Sequence, residues 1–388
     1  MTDEYPFGDL YLVPSRNGVS VPKGDRSHGT QMINMGELFR FARIGEADMA
    51  RVPLTDKELS RSLVEPGDLL FARRSLKLEG AGRCSLVVPS NEPRTFESSL
   101  IRVRLDASRA DPRFYYYFFA SPAGRERMAT IVEQAVVAGI RASDLQQLNV
   151  PVPPLRTQHA IAETLELLDD KIESNRRVTE LIPSLIRAQV DAALAKGRSR
   201  VPVSSLAAFV NGGAYTKGAS GNGRMVIRIA ELNGGPGGST VYNDIDVPDD
   251  KTARPGDILM SWSGSLGVYR WARSEAIINQ HIFKVIPSGY PAWLVFDRLQ
   301  AVIQIFQGIA KDKATTMGHI QRGHLDSTSV EIPNGDVIRR LDTALSPLWK
   351  RLLVAEQETL KLESLRDALL PELLSGRIRV PEALEAIA

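Results

Sequence analysis

Between Leu155 and Gly197 the positions Ile161, Leu165, Leu168, Ile172, Thr179, Ile182, Ile186 and Ala193 recur at steps of four and three, with Asn175 filling the one larger gap. That spacing predicts a long helix carrying these residues on one seam, at the a and d positions of a coiled coil. Roughly 40 residues at ~1.5 Å each give a rod of about 60 Å, and Gly197 stands as its stop. Asp169, Asp170, Lys171, Glu173, Arg176 and Arg177 flank the seam, so it needs a partner helix. The same seam recurs 180 residues later as Leu341, Leu345, Leu348, Leu352, Ala355, Thr359, Leu362, Arg366 and Leu369. Both helices lead into one pattern, Gly197-Arg198-Ser199-Arg200-Val201-Pro202 and Gly376-Arg377-Ile378-Arg379-Val380-Pro381. Pro183 predicts a kink in the first helix, and Pro371 predicts fraying of the second beyond Leu370; Pro347 lies near its start. Trp349 and Leu353 are expected exposed, on a surface that needs a partner.

Each helix follows a globular segment, and the two segments repeat one plan. Short strand patterns at 31–34, 69–72, 85–88 and 99–104, separated by Gly, Pro and Asn turns, predict a mixed α/β domain over 1–154. Helices are expected from Pro112 to about Ala120, with Phe114-Tyr115-Tyr116-Tyr117-Phe118-Phe119 packed in the core, and from Ala123 to about Val132. The prolines of Val150-Pro151-Val152-Pro153-Pro154 force an extended lead-in to the long helix. In the segment 198–334, Asn211-Gly212 repeats Asn17-Gly18 and Glu231-Leu232 repeats Glu37-Leu38 at an offset of 194. Pro255-Gly256-Asp257 repeats Pro66-Gly67-Asp68 at 189, and Ile320, Leu325, Val330 and Pro333 repeat Ile140, Leu145, Val150 and Pro153 at 180. Order without a constant offset is the mark of a duplication whose copies differ in loop length. The expected layout is a domain over 1–154, a helix over 155–197, a domain over 198–334, a helix over 335–376 and a tail over 377–388.

Composition narrows the function. A chain of 388 residues supports two or three cored domains. No apolar run reaches the ~18 residues of a membrane span, and Met1 to Gly8 carries no apolar core of a secretory signal. The lone Cys84 sits in a strand pattern and is expected to be a buried thiol in a reducing cytoplasm. A formal charge of +2 leaves room for a local basic face on nucleic acid, with affinity completed by partners.

No catalytic set is visible. A phosphate loop and a nucleophile elbow are absent, and the glycines of 234–238 are broken by Pro236. His281, His319 and His324 lack neighbouring ligands at metal spacing, and Asp249-Asp250-Lys251 reads as a solvated turn. No cofactor is expected, and the chain by itself is not expected to be an enzyme. What remains are polar loops: Ser261-Trp262-Ser263-Gly264-Ser265, Asn279-Gln280-His281 and Thr315 to Arg322 in the second domain. Arg73-Arg74-Ser75-Leu76-Lys77 occupies the position of the serine-rich loop in the first. Arg and Lys suit guanine, Asn and Gln adenine, and Ser and Thr phosphates or either base. Candidate DNA contacts are therefore Arg73, Arg74, Lys77, Lys217, Arg228, Ser261, Ser263, Asn279, Gln280, Thr315, Thr316 and Arg322. The competing reading is a duplicated adaptor that assembles protein partners without reading DNA.

As a group, Pro255 to Gly267, Asn-Gln-His-Ile-Phe-Lys-Val at 279–285, Thr-Thr-Met-Gly-His-Ile at 315–320 and Pro-Leu-Arg-Thr-Gln-His-Ala-Ile-Ala at 154–162 resemble the specificity subunits of type I restriction–modification systems. The resemblance spans essentially the whole chain; the first domain departs from it after Leu70. It implies two target-recognition domains separated by an antiparallel helix pair, reading the halves of a split, asymmetric site in double-stranded DNA. A ~60 Å rod exceeds one DNA turn of ~34–36 Å, so an unread spacer is expected, with the helices as its ruler. It also implies assembly with two methyltransferase subunits, which hold S-adenosylmethionine, and with restriction subunits that use ATP.

Overall fold

The computed structural model describes residues 3–133, 137–312 and 318–380. Two compact units divide it: residues 1–169 with 364–388, and residues 170–363.

In the first unit, a mixed sheet runs in the spatial order Tyr11–Asn17, Leu100–Leu105, Leu69–Ala72, Cys84–Val87, Arg43–Ile44. A smaller sheet has Thr30–Ile33 at its centre, antiparallel to Arg51–Val52 and parallel to Arg94–Phe96. Ile33, Leu38, Phe96 and Leu100 share a core cluster with Leu70 and Ala72. The helix Pro112–Ala120 starts at Asp111, whose carboxylate accepts from the Arg113 amide at 2.9 Å. All six aromatic residues from Phe114 to Phe119 are buried, and Phe119 meets Phe7 and Phe71 edge-on at 5.0 Å. The run is core, as expected. The next helix is Pro122–Ala129, shorter than its expected span because Thr130 closes it.

The second unit repeats the plan: Ala207–Asn211, Ile282–Pro287, Ile258–Ser261 and Gly267–Arg270 form one sheet, against which the helix Ala292–Asp312 packs. Its second sheet again has a central strand, Arg224–Ile227, antiparallel to Val241–Asn243 and parallel to Ala276–Ile278. Pro66-Gly67-Asp68 and Pro255-Gly256-Asp257 are the same turn. Gly67 and Gly256 have φ of 93° and 96°, a region that favours glycine. Asp68 and Asp257 each accept the amide three residues earlier, at 2.8 and 2.7 Å.

The long helices run Leu155–Leu194 and Gly335–Ser375. Pro183, Pro347 and Pro371 all lie within them, and the second helix continues to Ser375 instead of fraying at Leu370. Gly376, with φ 72°, closes it through its amide to the Leu373 carbonyl. Ile161, Leu165, Leu168 and Ile172 are buried, as are Leu345 and Leu352; Leu341 and Leu348 are half-buried. Within the second unit, Asn175 donates to Glu358 at 2.9 Å, whereas Val190 shares a cluster with Ile338 and Leu345, so the helices are antiparallel there. Asn175 puts a buried polar residue into the seam, a device that selects register. The seam is not a two-helix affair. Trp293 and Leu294 of the domain helix enter it, and Trp349 is buried against Phe296, which corrects its expected exposure.

Candidate nucleic-acid interface

The strand register aligns the two copies residue by residue at the loops. Arg73 donates its amide to the Ser99 carbonyl and accepts from Ile140. Trp262 does the same with His281 and Ile320. Arg74 pairs with Gly139 across a short ladder, and Ser263 bridges to His319. Arg73 thus corresponds to Trp262, Arg74 to Ser263 and Gly139 to His319. The parallel pairing aligns Phe96 with Ile278 and hence Glu97 with Asn279. Gly18 and Gly212 hold this frame by close approach: a Cβ on either would stand 2.0–2.2 Å from a backbone oxygen of the facing strand.

In the second domain the frame buries several expected contacts. Ser261 is fully buried; its hydroxyl donates to the Ser265 carbonyl at 2.7 Å and accepts from the Gly267 amide at 2.8 Å, which closes the loop. Ser263 is buried at its bridge to His319. Asn279 is buried too, its side-chain oxygen accepting the Gln280 amide at 2.8 Å. The side chains of Ser261 and Asn279 are thus spent on local backbone groups, as small polar side chains at a sheet edge often are. Arg228 is engaged locally: its guanidinium donates to Glu231 at 2.6 Å and to the Ser239 carbonyl at 2.6 Å. Burial works to raise the Glu231 carboxyl, but the hydrogen bonds from Arg228 and Thr240 outweigh it and hold it below the usual carboxylate range.

What the second domain presents instead is a ring cluster. Trp262 lies 5.4 Å from His281, 6.0 Å from Phe283 and 6.5 Å from His319, centroid to centroid. Arg322 is exposed and stacks its guanidinium 5.9 Å from the Phe283 ring. Gln280 is exposed beside His281. Trp262 Nε1 and His281 Nδ1 are buried without a hydrogen-bond partner among the described residues, and groups left so are costly unless a ligand meets them. Trp262, His281 and His319 are absent from the expected contacts, although all three stand in the loops singled out by sequence. Lys217 lies in an exposed turn, and no contact among the described residues joins it to this cluster. Thr315 and Thr316 lie outside the described residues. No metal-binding group occurs among those described.

The first domain offers cations. Arg74 and Lys77 are exposed and Arg73 half-exposed, and none of the three has a carboxylate partner among the described residues. Arg73 reaches only the Ser98 carbonyl, at 3.5 Å. Arg83 stacks 5.4 Å from the Phe39 ring. A groove of about 630 Å³ runs between them, lined by Met35, Phe39, Leu76 and Val137 with the basic residues at its rim. Cys84, beneath, is buried, and burial pushes its thiol well above the usual range.

Both domains are tied to the long helices by buried polar groups. In the first unit Tyr117 donates to Asp169 at 2.8 Å, and Asp169 accepts from Arg366 at 2.9 Å. In the second, Arg270 pairs with Glu356 at 2.8 Å and lies 4.3 Å from the centre of the Trp349 ring. Burial raises the Glu356 carboxyl against the pull of Arg270. No helix among the described residues is long and apolar enough to cross a membrane.

Residues 54–184 match the family described as type I restriction modification DNA specificity domain. The chain is 29% identical over 159 residues to the EcoKI type I restriction enzyme specificity subunit of Escherichia coli K12, covering 40% of this chain and 34% of that one. It is 21% identical over 309 residues to the MjaIX specificity subunit of Methanocaldococcus jannaschii, covering 69% of each. The alignment thus spans about a third of the length of the E. coli relative. Among solved structures, the specificity subunit of a type I restriction–modification system from M. genitalium superposes with a TM-score of 0.62 at 15% identity, over 96% of this chain and 95% of that one, a likeness of fold. In sequence over residues 54–184, and in fold over nearly its whole length, the chain is similar to type I restriction–modification specificity subunits.

Proposed function

We propose that the chain is the non-catalytic DNA-reading subunit of a type I restriction–modification complex acting in the cytoplasm. The domain over 1–154 reads one half of a bipartite, asymmetric target and the domain over 198–334 reads the other. The paired helices set the spacing and dock two methyltransferase subunits, with restriction subunits joining in the full assembly. The observation that carries this reading is one frame with unlike loops: at equivalent positions the first domain presents unpaired cations around Arg74, and the second a Trp262–His281–His319 cluster beside Gln280 and Arg322. Two domains with one scaffold and two surfaces suit two different half-sites. Unpaired cations suit phosphates and guanine edges, and the ring cluster with Gln280 suits a base edge.

The test is methylation mapping. The chain is expressed with its neighbouring methyltransferase subunit in a host free of DNA methylation, and the genome is sequenced for modified adenines. A single split motif is expected, of which one half changes when residues 1–150 are exchanged for those of a relative. An assembled complex that modifies nothing would instead leave the adaptor reading standing.

A further inference from the structure

Leu76 is 91% exposed, the most exposed large apolar side chain among the described residues. Its support is hydrogen-bonded on both sides. Arg74–Ser75 before it is laddered to Ala138–Gly139, the Lys77 amide after it donates to the Ser75 hydroxyl at 3.1 Å, and Gly80 closes a turn onto the Lys77 carbonyl at 3.0 Å. Arg125 donates to the Ala81 carbonyl at 3.2 Å and also to that of Glu79, and Gly82 and Arg83 hydrogen-bond back to Ala72. A leucine held out by so braced a loop, with Arg73 and Arg74 on one flank and Lys77 on the other, has no folding role to explain it. Its surroundings are complementary to a polyanion that also offers apolar surface, and stacked bases are that surface.

We propose that Leu76 is an apolar wedge with which the first domain enters the stack of its half-site, while the flanking cations hold the phosphates on either side. The proposal rests on the DNA-reading function above. A side chain inserted between base pairs partly unstacks one step and bends the duplex, most cheaply at a pyrimidine–purine step. The second domain has no counterpart, since the residues after Ser263 are Gly264 and Ser265. Distortion is therefore confined to one half of the target.

The experiment uses the assembled complex on duplexes of the mapped motif, with 2-aminopurine placed at successive positions and dyes at the ends. The unsubstituted complex is expected to raise 2-aminopurine emission at one step of the first half-site and to shorten the end-to-end distance. Leu76→Ala is expected to abolish both signals and to weaken binding about tenfold, the loss of one large apolar contact, with the salt slope unchanged. Leu76→Met is expected to keep both signals. If Leu76→Ala binds, bends and brightens like the unsubstituted complex, the wedge is overturned while the half-site reading stands. If Leu76→Ala instead releases the methyltransferase subunit, Leu76 is a protein contact and the wedge is overturned. If the unsubstituted complex selects no sequence, the DNA-reading function itself has failed and the wedge with it.

Discussion

The two globular domains share a frame down to the turn geometry of Gly67 and Gly256, yet differ where that frame meets solvent and where it meets the helices. Leu86 of the first domain, opposite Leu69, corresponds to Arg270 of the second, opposite Ile258. One is a buried apolar residue; the other is a buried guanidinium paired with Glu356. Asn34, which caps the helix Met35–Arg40, corresponds to Arg228 at the start of Ile229–Gly234. Duplication kept the positions at which backbone approaches backbone and let the rest drift, because a Cβ there has nowhere to go whereas an anchor can be built in more than one chemistry. The first way to break the comparison is therefore at the glycines. Gly18→Ala would place a Cβ 2.0 Å from the Phe96 carbonyl oxygen, and Gly212→Ala 2.2 Å from those of Ile278 and Asn279. Each is expected to cost about 3–5 kcal/mol and to abolish recognition of its own half-site alone, read by thermal unfolding and by the mapped motif.

The anchors come next. Arg270→Leu leaves Glu356 facing an apolar site beside Trp349. With about a quarter of the Glu356 side chain still exposed, the expected loss is about 2 kcal/mol, below the full cost of a buried pair broken on one side. Adding Glu356→Leu is expected to recover most of it, converting the second anchor to the chemistry of the first. Thermal unfolding of both variants checks this; a double variant no better than the single one would mean that the pair does more than join the sheet to the helix.

A smaller effect separates the caps. The Glu231 carboxyl is lowered from its usual 4.5 in the folded state, so its contribution is fully present above pH 4.5 and is lost as pH falls through the lower folded value. Arg228→Asn, which copies Asn34, is expected to cost about 1 kcal/mol at neutral pH and to flatten the acid limb of the second unit's unfolding curve. An unchanged acid limb would show that Glu231 is held by Thr240 and backbone alone.

Much of this architecture is legible in the amino-acid order. The four–three spacing marks both helices, the Pro-Gly-Asp pair marks the duplication, and the aromatic run from Phe114 is core because six consecutive rings cannot all face water on a helix of that length. Pro371 misleads, because the second helix runs on to Ser375 where fraying beyond Leu370 is expected, a proline ending a helix only where packing does not hold it. Site residues are less legible. Ser261 and Asn279 have DNA-contacting chemistry, but a hydroxyl or amide at a strand end finds a backbone partner within the loop, and sequence does not tell those two uses apart. Trp262 and His281 stand in loops that the sequence singles out, but only the register shows that their rings meet and that Trp262 Nε1 and His281 Nδ1 have no partner among the described residues.

The finest comparison is between Arg74 and Ser263, equivalent positions of which only the first is exposed. A phosphate contact made by Arg74 releases about 0.9 of a counterion, so Arg74→Ala is expected to lower the slope of log K against log salt by about one and to weaken binding severalfold at physiological salt. Ser263→Ala removes a buried hydroxyl that carries no charge and is expected to leave the slope alone. Salt titrations of the assembled complex on the mapped target measure both. A slope that falls with Ser263→Ala and not with Arg74→Ala would reverse the assignment, making the ring cluster the phosphate-facing surface and leaving the arginine loop with no part in holding DNA.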